Sequence, residues 1–462
     1  MRRVPTPILL RDPVAVLSPS GPYASYAPDP PTGDAGAFGW RMKAGEGLPP
    51  NPSLPPRDAP THPSPPPTPR RANARPTKGE SASTPRGRPL RVLFGGGGTA
   101  GHIYPALSVL HELAHGTRAD ARGAASVHFA HGPSRIDAEV LAHAGIARTR
   151  LAASPVRGVA PHRAVWGALR LVGAVGQAYA LIGAFRPDVL LVTGGYVSAP
   201  VLAAARLRGV PSVVFLPDIV PGLAVRALAP LASRVAVGFA ATRSHWAPSH
   251  GVVTGYPVRP EFLAADRERG REAFGITGDR PVLFATGGSS GARSLNLAIR
   301  DALEPMLHHA DLIHLCGELD EARLRETRAA LPETLRRRYH LYRYLHKGMA
   351  DAMAASDLVI CRAGASTMAE LPAIGRPAIL IPGTFAGGHQ AENAAVLASA
   401  GAAVVVPDSD LGGARDGVLL ATVLELLADS QRRSAMAEAA KQLARPGAAA
   451  NIVALLESIA RR

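Results

Sequence analysis

Four times along this chain a short apolar run meets a small-residue turn and then a helical pattern. The fullest case is Arg91–Val109, RVLFGGGGTAGHIYPALSV. Val92-Leu93-Phe94 reads as a strand and Gly95 to Gly98 as a tight turn. Ala106, Leu107, Val109 and Leu110 carry a helical apolar pattern after Pro105. Glycine lets the backbone take positive φ and approach a ligand closely. Pro105 suits a first helical turn, where an N–H has no partner in any case. Such a turn opens a helix N-terminus to a phosphate or a sugar, here with His102 at its lip. A single loop of this kind serves equally well for plain strand–helix packing. The recurrences carry the argument: Val189–Val192 into TGGYVSAP, Val282–Thr286 into GGSSGAR, and Leu358–Cys361 into RAGAST.

Strands alternating with helices predict an α/β chain with doubly wound parallel sheets. In the first half, Ser126–Ala130, Ala147–Leu151 and Pro211–Phe215 read as further strands and Asp137–Gly145 as a helix. The pattern restarts after Arg259, with strands at Leu312–Cys316, Leu341–Leu345, Pro377–Ile381 and Ala402–Val406. Two such lobes in tandem imply a cleft between them.

Composition divides the chain further. Residues 1–90 hold 22 of its 43 prolines, including PSLPP and PSPPPTPR. A segment with so few periodic apolar runs cannot bury enough surface to fold alone, so 1–88 reads as a disordered tail or an over-long reading frame. Its first residues lack the apolar core of a signal peptide. The expected divisions are 1–88, an acceptor lobe at 89–257 and a nucleotide lobe at 258–462. Residues 91–255 carry 15 Lys/Arg against 6 Asp/Glu, whereas 256–462 carry 24 of each. A basic first lobe implies an anionic partner. The stretch from Arg163 through Leu171 reads as a helix with Val165, Trp166, Leu169 and Val172 on one face, flanked by Arg163 and Arg170. It is either an ordinary docking helix or a patch that touches an anionic membrane surface. No run of about 18 uncharged apolar residues is present to span a bilayer. Cys316 and Cys361 read as reduced core residues, and no Cys/His cluster offers a metal site.

In this order GGTAGHIYPALSV, TGGYVSAP, VPGLA, TGYPVR, GGSSGARSLN, CRAGASTMAEL and HQAENA resemble the motifs of MurG-type glycosyltransferases, over residues 91–455. The resemblance implies the GT-B fold, two Rossmann-like lobes with the active site between them. It implies inverting transfer of N-acetylglucosamine from UDP-N-acetylglucosamine to the muramyl hydroxyl of undecaprenyl-pyrophosphoryl-muramyl-pentapeptide. That is the lipid I to lipid II step of peptidoglycan synthesis, run by a peripheral protein on the cytoplasmic face of the membrane. It implies neither metal nor cofactor.

The site expectations follow. With no metal cluster evident, the charge developing on UDP must meet backbone N–H groups and helix dipoles at Gly287–Gly291 and Gly364–Thr367, with Ser289 as a hydroxyl donor. Inversion needs a base for the acceptor hydroxyl, and the imidazole of His102 has a suitable pKa. Thr99, Ala100 and Gly101 complete its loop. The resemblance puts Ala365, Ser366, Thr367, Met368, Ala369 and Glu370 on the donor, Glu370 at the ribose hydroxyls. It gives Arg259 a nucleotide contact and His389 with Gln390 the sugar hydroxyls. The uracil edge falls to His346, or to Leu345 if one residue is inserted. Tyr344 either stacks on the base or sits in the core, and Asn393 reads as a helix cap. One motif departs: where the family has His-Glu-Gln-Asn, this chain has Phe215-Leu216-Pro217-Asp218. Asp218 stands where an amide contacts ligand, and an ionised acid cannot donate a hydrogen bond. This keeps a transferase acting on another lipid in play, beside a UDP-sugar epimerase and a non-catalytic nucleotide binder. No aromatic-basic RNA motif is present, so nucleic acid is not an expected partner.

Overall fold

The computed structural model describes residues 8–9 and 89–461, apart from 99, 117–124, 154–160, 248, 289, 346–347, 385–388 and 412–416. The rest of the expected tail lies outside the described residues. Its described piece, Ile8–Leu9, pairs antiparallel with Ser126-Val127.

The first lobe is built on β1 (Arg91–Gly95), β2 (Ser126–His131), β3 (Arg148–Arg150), β4 (Val189–Val192), β5 (Ser212–Leu216), β6 (Arg234–Val237) and β7 (Gly251–Val253). These run parallel in the order β3-β2-β1-β4-β5-β6-β7. The second lobe has β8 (Val282–Thr286), β9 (Asp311–Leu315), β10 (Tyr339–Tyr342), β11 (Leu358–Cys361), β12 (Ala378–Leu380) and β13 (Ala403–Val405). Their order is β10-β9-β8-β11-β12-β13, again parallel. Both sheets therefore reverse their winding direction beside their first strand. In such sheets ligands bind at the carboxyl ends of the two strands flanking that reversal. Those ends are β1 with β4, and β8 with β11, where the four small-residue turns follow their strands.

Alternation within the strands fills two cores per sheet. In β8, Leu283 and Ala285 face one cluster while Val282 and Phe284 face the other. Every residue of β4 and β11 is buried, as parallel strands covered on both faces require. The helices used below are α1 (Ala100–His115), α2 (Arg135–His143), α3 (Pro161–Phe185), α4 (Ser198–Leu207), α5 (Arg293–Asp301), α6 (Thr367–Ile374), α7 (His389–Ser399) and α8 (Ala448–Ile459).

Four expectations need correction. Helix α1 starts at Ala100, so Pro105 lies inside it rather than in its first turn. Helix α3 runs far beyond Leu171, because Ala174, Ala178, Leu181, Ile182 and Phe185 continue one buried face. Strand β10 ends at Tyr342, which leaves Tyr344 and Leu345 in the loop beyond its carboxyl end. The division at 257/258 also misplaces the last helix. Ile452, Val453 and Leu456 of α8 sit in the first lobe's core with Val92, Phe94 and Phe215. Burying a side chain of that size contributes about 1.5–3 kcal/mol, so α8 holds the lobes together. Asn451 adds a hydrogen bond from its amide to the Thr254 carbonyl at 3.1 Å.

Candidate active site

At the first lobe's reversal, Gly97 and Gly98 take φ of +129° and +94°. A Cβ on Gly97 would meet the Asp137 carboxylate at 2.4 Å, which is why only glycine fits there. Asp137, buried on α2, accepts the Gly98 N–H at 2.5 Å, and its own N–H is capped by the Ser134 hydroxyl at 3.3 Å. The loop is therefore closed by a carboxylate rather than left floppy. Across the reversal, Gly194 has φ of +118°, and a Cβ there would lie 2.4 Å from Cδ2 of His102. The Thr193 hydroxyl donates to the His102 carbonyl at 2.6 Å. The turn after β4 thus seats the His102 ring and fixes its backbone. Burial holds the His102 pKa below its ordinary value, opposed by the Asp218 charge, a hydrogen bond to the Gly97 carbonyl, and Asp137. Such an imidazole is neutral near pH 7 and able to take a proton.

At the second lobe's reversal, Gly288 and Gly291 take φ of +87° and +76°, and a Cβ on Gly291 would meet the Cys316 carbonyl at 2.2 Å. Close backbone packing here brings the turn straight into α5. Neither Ala292 before α5 nor Ser366 before α6 makes a side-chain cap. The first-turn N–H groups of α5 keep their capacity for an anion, whereas in α6 those of Met368 and Ala369 already donate to the Gly364 and Ser366 carbonyls, each at 3.0 Å. Arg362 joins the two turns: it donates to the Ser294 hydroxyl at 2.7 Å and pairs with Asp408 at 2.6 Å.

Glu370 lies in the first turn of α6, 6% exposed, 3.5 Å from the Arg259 guanidinium. Burial pushes the Glu370 carboxyl upward and Arg259 offsets this only in part. Burial works against the Arg259 charge, but Glu370 and Glu261 outweigh it and hold its pKa above normal. The guanidinium also lies over the rings of Tyr104 at 4.3 Å and Phe262 at 4.6 Å. Tyr104, on α1 of the first lobe, hydrogen-bonds Tyr344 of the second, and burial raises its hydroxyl pKa. Tyr256 is buried beside Glu370, and its hydroxyl pKa is raised by burial and by that charge. The carboxylate expected at the ribose is thus part of a cross-lobe cluster of Arg259, Tyr104, Tyr256 and Tyr344.

The other expected residues divide. His389 and Gln390 open α7, and Gln390 accepts the Gly383 N–H at 2.8 Å. His389 faces Gly222 of the first lobe. Ala365 and Ala369 pack on the first lobe's core, whereas the Met368 side chain is buried in the second lobe's core and leaves only its backbone for a ligand. Leu345 packs against that same second core. Ala100 and Gly101 form the start of α1, and Asp218 follows β5. Thr99, Ser289 and His346 lie outside the described residues, as does the Ala100 side chain. Asn393 is not a cap: it lies within α7 and bonds away from it. Asp137, Tyr104 and Tyr256 were not foreseen. The capping pair Ser134/Asp137 was the one available signal for the first of them. Among the described residues no group of three or more His, Cys, Asp or Glu is placed to hold a metal ion.

The two sheets coincide with known domains. The glycosyltransferase family 28 N-terminal domain matches residues 92–237 and the family 28 C-terminal domain matches residues 282–452. A relative from Roseiflexus sp. (strain RS-1) is 40% identical over 423 residues, 81% of this chain and 96% of its own length. That relative is a UDP-N-acetylglucosamine–N-acetylmuramyl-(pentapeptide) pyrophosphoryl-undecaprenol N-acetylglucosamine transferase. The chain belongs to the MurG family of glycosyltransferases. The crystal structure of Acinetobacter baumannii MurG matches it with a TM-score of 0.61 at 27% identity, covering 80% of this chain and all of that one. A UDP-GlcNAc 2-epimerase from Neisseria meningitidis matches with a TM-score of 0.57 at 15% identity, over 80% of this chain and 100% of its own. That likeness is one of fold, so it gives the epimerase reading no further support. The MurG-family resemblance and the GT-B fold expected from the sequence both hold.

Proposed function

We propose that this chain transfers N-acetylglucosamine from UDP-N-acetylglucosamine to the muramyl hydroxyl of undecaprenyl-pyrophosphoryl-muramyl-pentapeptide, converting lipid I to lipid II. The 40% identity to a transferase of that name, running through both lobes, carries the reading. The acceptor oxygen attacks the anomeric carbon from the face opposite UDP. The new glycosidic bond forms as the bond from carbon to phosphate oxygen breaks, which inverts the anomeric centre. His102 receives the hydroxyl proton, in keeping with its seat against Gly194 and its lowered pKa. UDP leaves with its charge on the diphosphate, stabilised by the first-turn N–H groups of α5, by the Thr367 N–H at the start of α6 and by the Ser289 hydroxyl. Glu370 accepts from the ribose hydroxyls, Arg259 steadies the nucleotide, and the segment at Leu345 and His346 reads uracil. Backbone groups at 365–369 line the donor, and Gln390 with His389 holds the sugar. Thr99, Ala100 and Gly101 hold the acceptor side.

The acceptor's lipid stays in the bilayer, so the enzyme works at its cytoplasmic surface. No helix among the described residues is long and apolar enough to cross a membrane. The excess positive charge on 91–255 supports reversible attachment to anionic lipid, about 1 kcal/mol per basic residue near the surface. The side chains of 161–169, including Trp166, lie outside the described residues. Flotation with anionic vesicles at low salt, lost as salt rises, is the expected behaviour. The activity test offers UDP-N-acetylglucosamine with a muramyl-pentapeptide lipid or a diacylglycerol. Product only on the muramyl acceptor supports the reading, and product only on diacylglycerol refutes it.

A further inference from the structure

Asn393 is fully buried in α7, where a carboxamide must find partners for both ends. Its Oδ1 accepts the Ile219 N–H at 3.2 Å. Its Nδ2 donates to the Asp218 carboxylate at 3.1 Å and to the Ala363 carbonyl at 3.1 Å. Asp218 and Ile219 belong to the first lobe, just beyond β5. Ala363 begins the turn of the second lobe that leads into α6 and Glu370. One side chain thus ties the segment beside His102 to the start of the donor loop.

We propose that Asn393 is a positioning residue that sets the register of the two lobes across the cleft, with Asp218 as its partner. A carboxamide is the group for this role, since it both donates and accepts. An acid at 218 only accepts, which is what the Asn393 amide requires, and a charged acceptor makes the stronger bond. The departure at Asp218 thereby serves contact between lobes rather than a ligand. Removing the carboxamide leaves the Ile219 N–H, the Ala363 carbonyl and a carboxylate without their shared partner, in a buried seam that works against any such loss. The inference requires only the two lobes, and its first readout does not depend on the acceptor proposed above.

The test places spin labels at Ala142→Cys in the first lobe and Ala330→Cys in the second, both exposed positions. Cys316 and Cys361 are buried, so the labels go to the new sites. The interlobe distance distribution is measured for the full chain and for Asn393→Ala, Asp218→Leu and Asp218→Asn, each checked for a native melting transition. Broadening in Asn393→Ala and Asp218→Leu is expected, with a narrow distribution kept in Asp218→Asn, whose oxygen still accepts. In Asn393→Ala kcat should fall about tenfold, the worth of one buried hydrogen bond, while UDP affinity stays within about threefold. A distribution as narrow as the parent's in both Asn393→Ala and Asp218→Leu overturns the proposal. So does a loss of UDP affinity equal to the loss of kcat, which would make Asn393 a prop of the donor loop alone.

Discussion

Gly194→Ala tests how far the reaction depends on the seat of His102. Gly194 has φ of +118°, and its Cβ would lie 2.4 Å from Cδ2 and 2.8 Å from Nε2 of the imidazole. Ordinary contact begins near 3.4 Å, so the ring must retreat by about 1 Å. A displacement of about 1 Å at a catalytic group can cost on the order of 100-fold in rate, about 2.7 kcal/mol of barrier. Backbone strain at positive φ adds about 1–3 kcal/mol of lost stability. Gly145 separates the two effects. It has φ of +63° with nothing within 4 Å of its would-be Cβ, so Gly145→Ala carries the strain without touching His102. The assay is steady-state transfer, with UDP affinity by calorimetry and thermal melting alongside. Gly194→Ala should lose about 100-fold in kcat with UDP affinity intact, and Gly145→Ala should lose stability only. If Gly194→Ala melts normally and turns over within threefold of the parent, the seat of His102 does not matter and its role as base falls.

Glu370→Ala should weaken UDP binding itself, whereas Gln390→Ala should mainly reduce discrimination between UDP-sugars; calorimetry with UDP and a panel of donors separates them. The acid limb of kcat/KM should lie below pH 6.5, because burial lowers the His102 pKa and the base must be neutral to act. Asp218→Asn removes a charge that raises that pKa, so the limb should move to lower pH still, and a limb that rises or stays put would break the link. Burial also lowers His128 and His340 to about 4 and His314 to about 3. All three stay neutral in the fold while the unfolded chain protonates them below pH 6.5, so together they should lower stability by about 4 kcal/mol per pH unit between roughly pH 6 and pH 5. Denaturant melts across that range check the slope.

The fold was legible because its signals are local. Turns such as Gly97, Gly194 and Gly288 need glycine for positive φ, and all-buried parallel strands such as Val189–Val192 need unbroken apolar runs. Strand order follows once each lobe is read as doubly wound. What escaped the sequence lies at long range or in weak patterns. Arg259 and Glu370 stand 111 residues apart, so nothing local tells that they pair. Asn393 near a helix start looks like a cap, and only the opposite lobe reveals its partners. The β6 stretch Arg234–Val237 is four residues long and opens on a charge, so its pattern was too short to stand out. The Leu341–Leu345 run is apolar enough to pass for a strand, yet the chain ends β10 at Tyr342 and uses Tyr344 to meet Tyr104 across the cleft. Helix α8 crosses to the first lobe because its apolar face completes that core, a fact invisible in a helical pattern that fits either lobe.

The most direct test of the account is the configuration and identity of the product. The chain is incubated with UDP-N-acetylglucosamine and a short-chain lipid-linked muramyl-pentapeptide, and the product is isolated for proton NMR of the new anomeric centre. The account predicts a β-linked N-acetylglucosamine on the muramyl hydroxyl, opposite in configuration to the α-linked donor, with one UDP released per bond formed. An α-linked product, or UDP-sugar converted to its epimer with no acceptor modified, would contradict it.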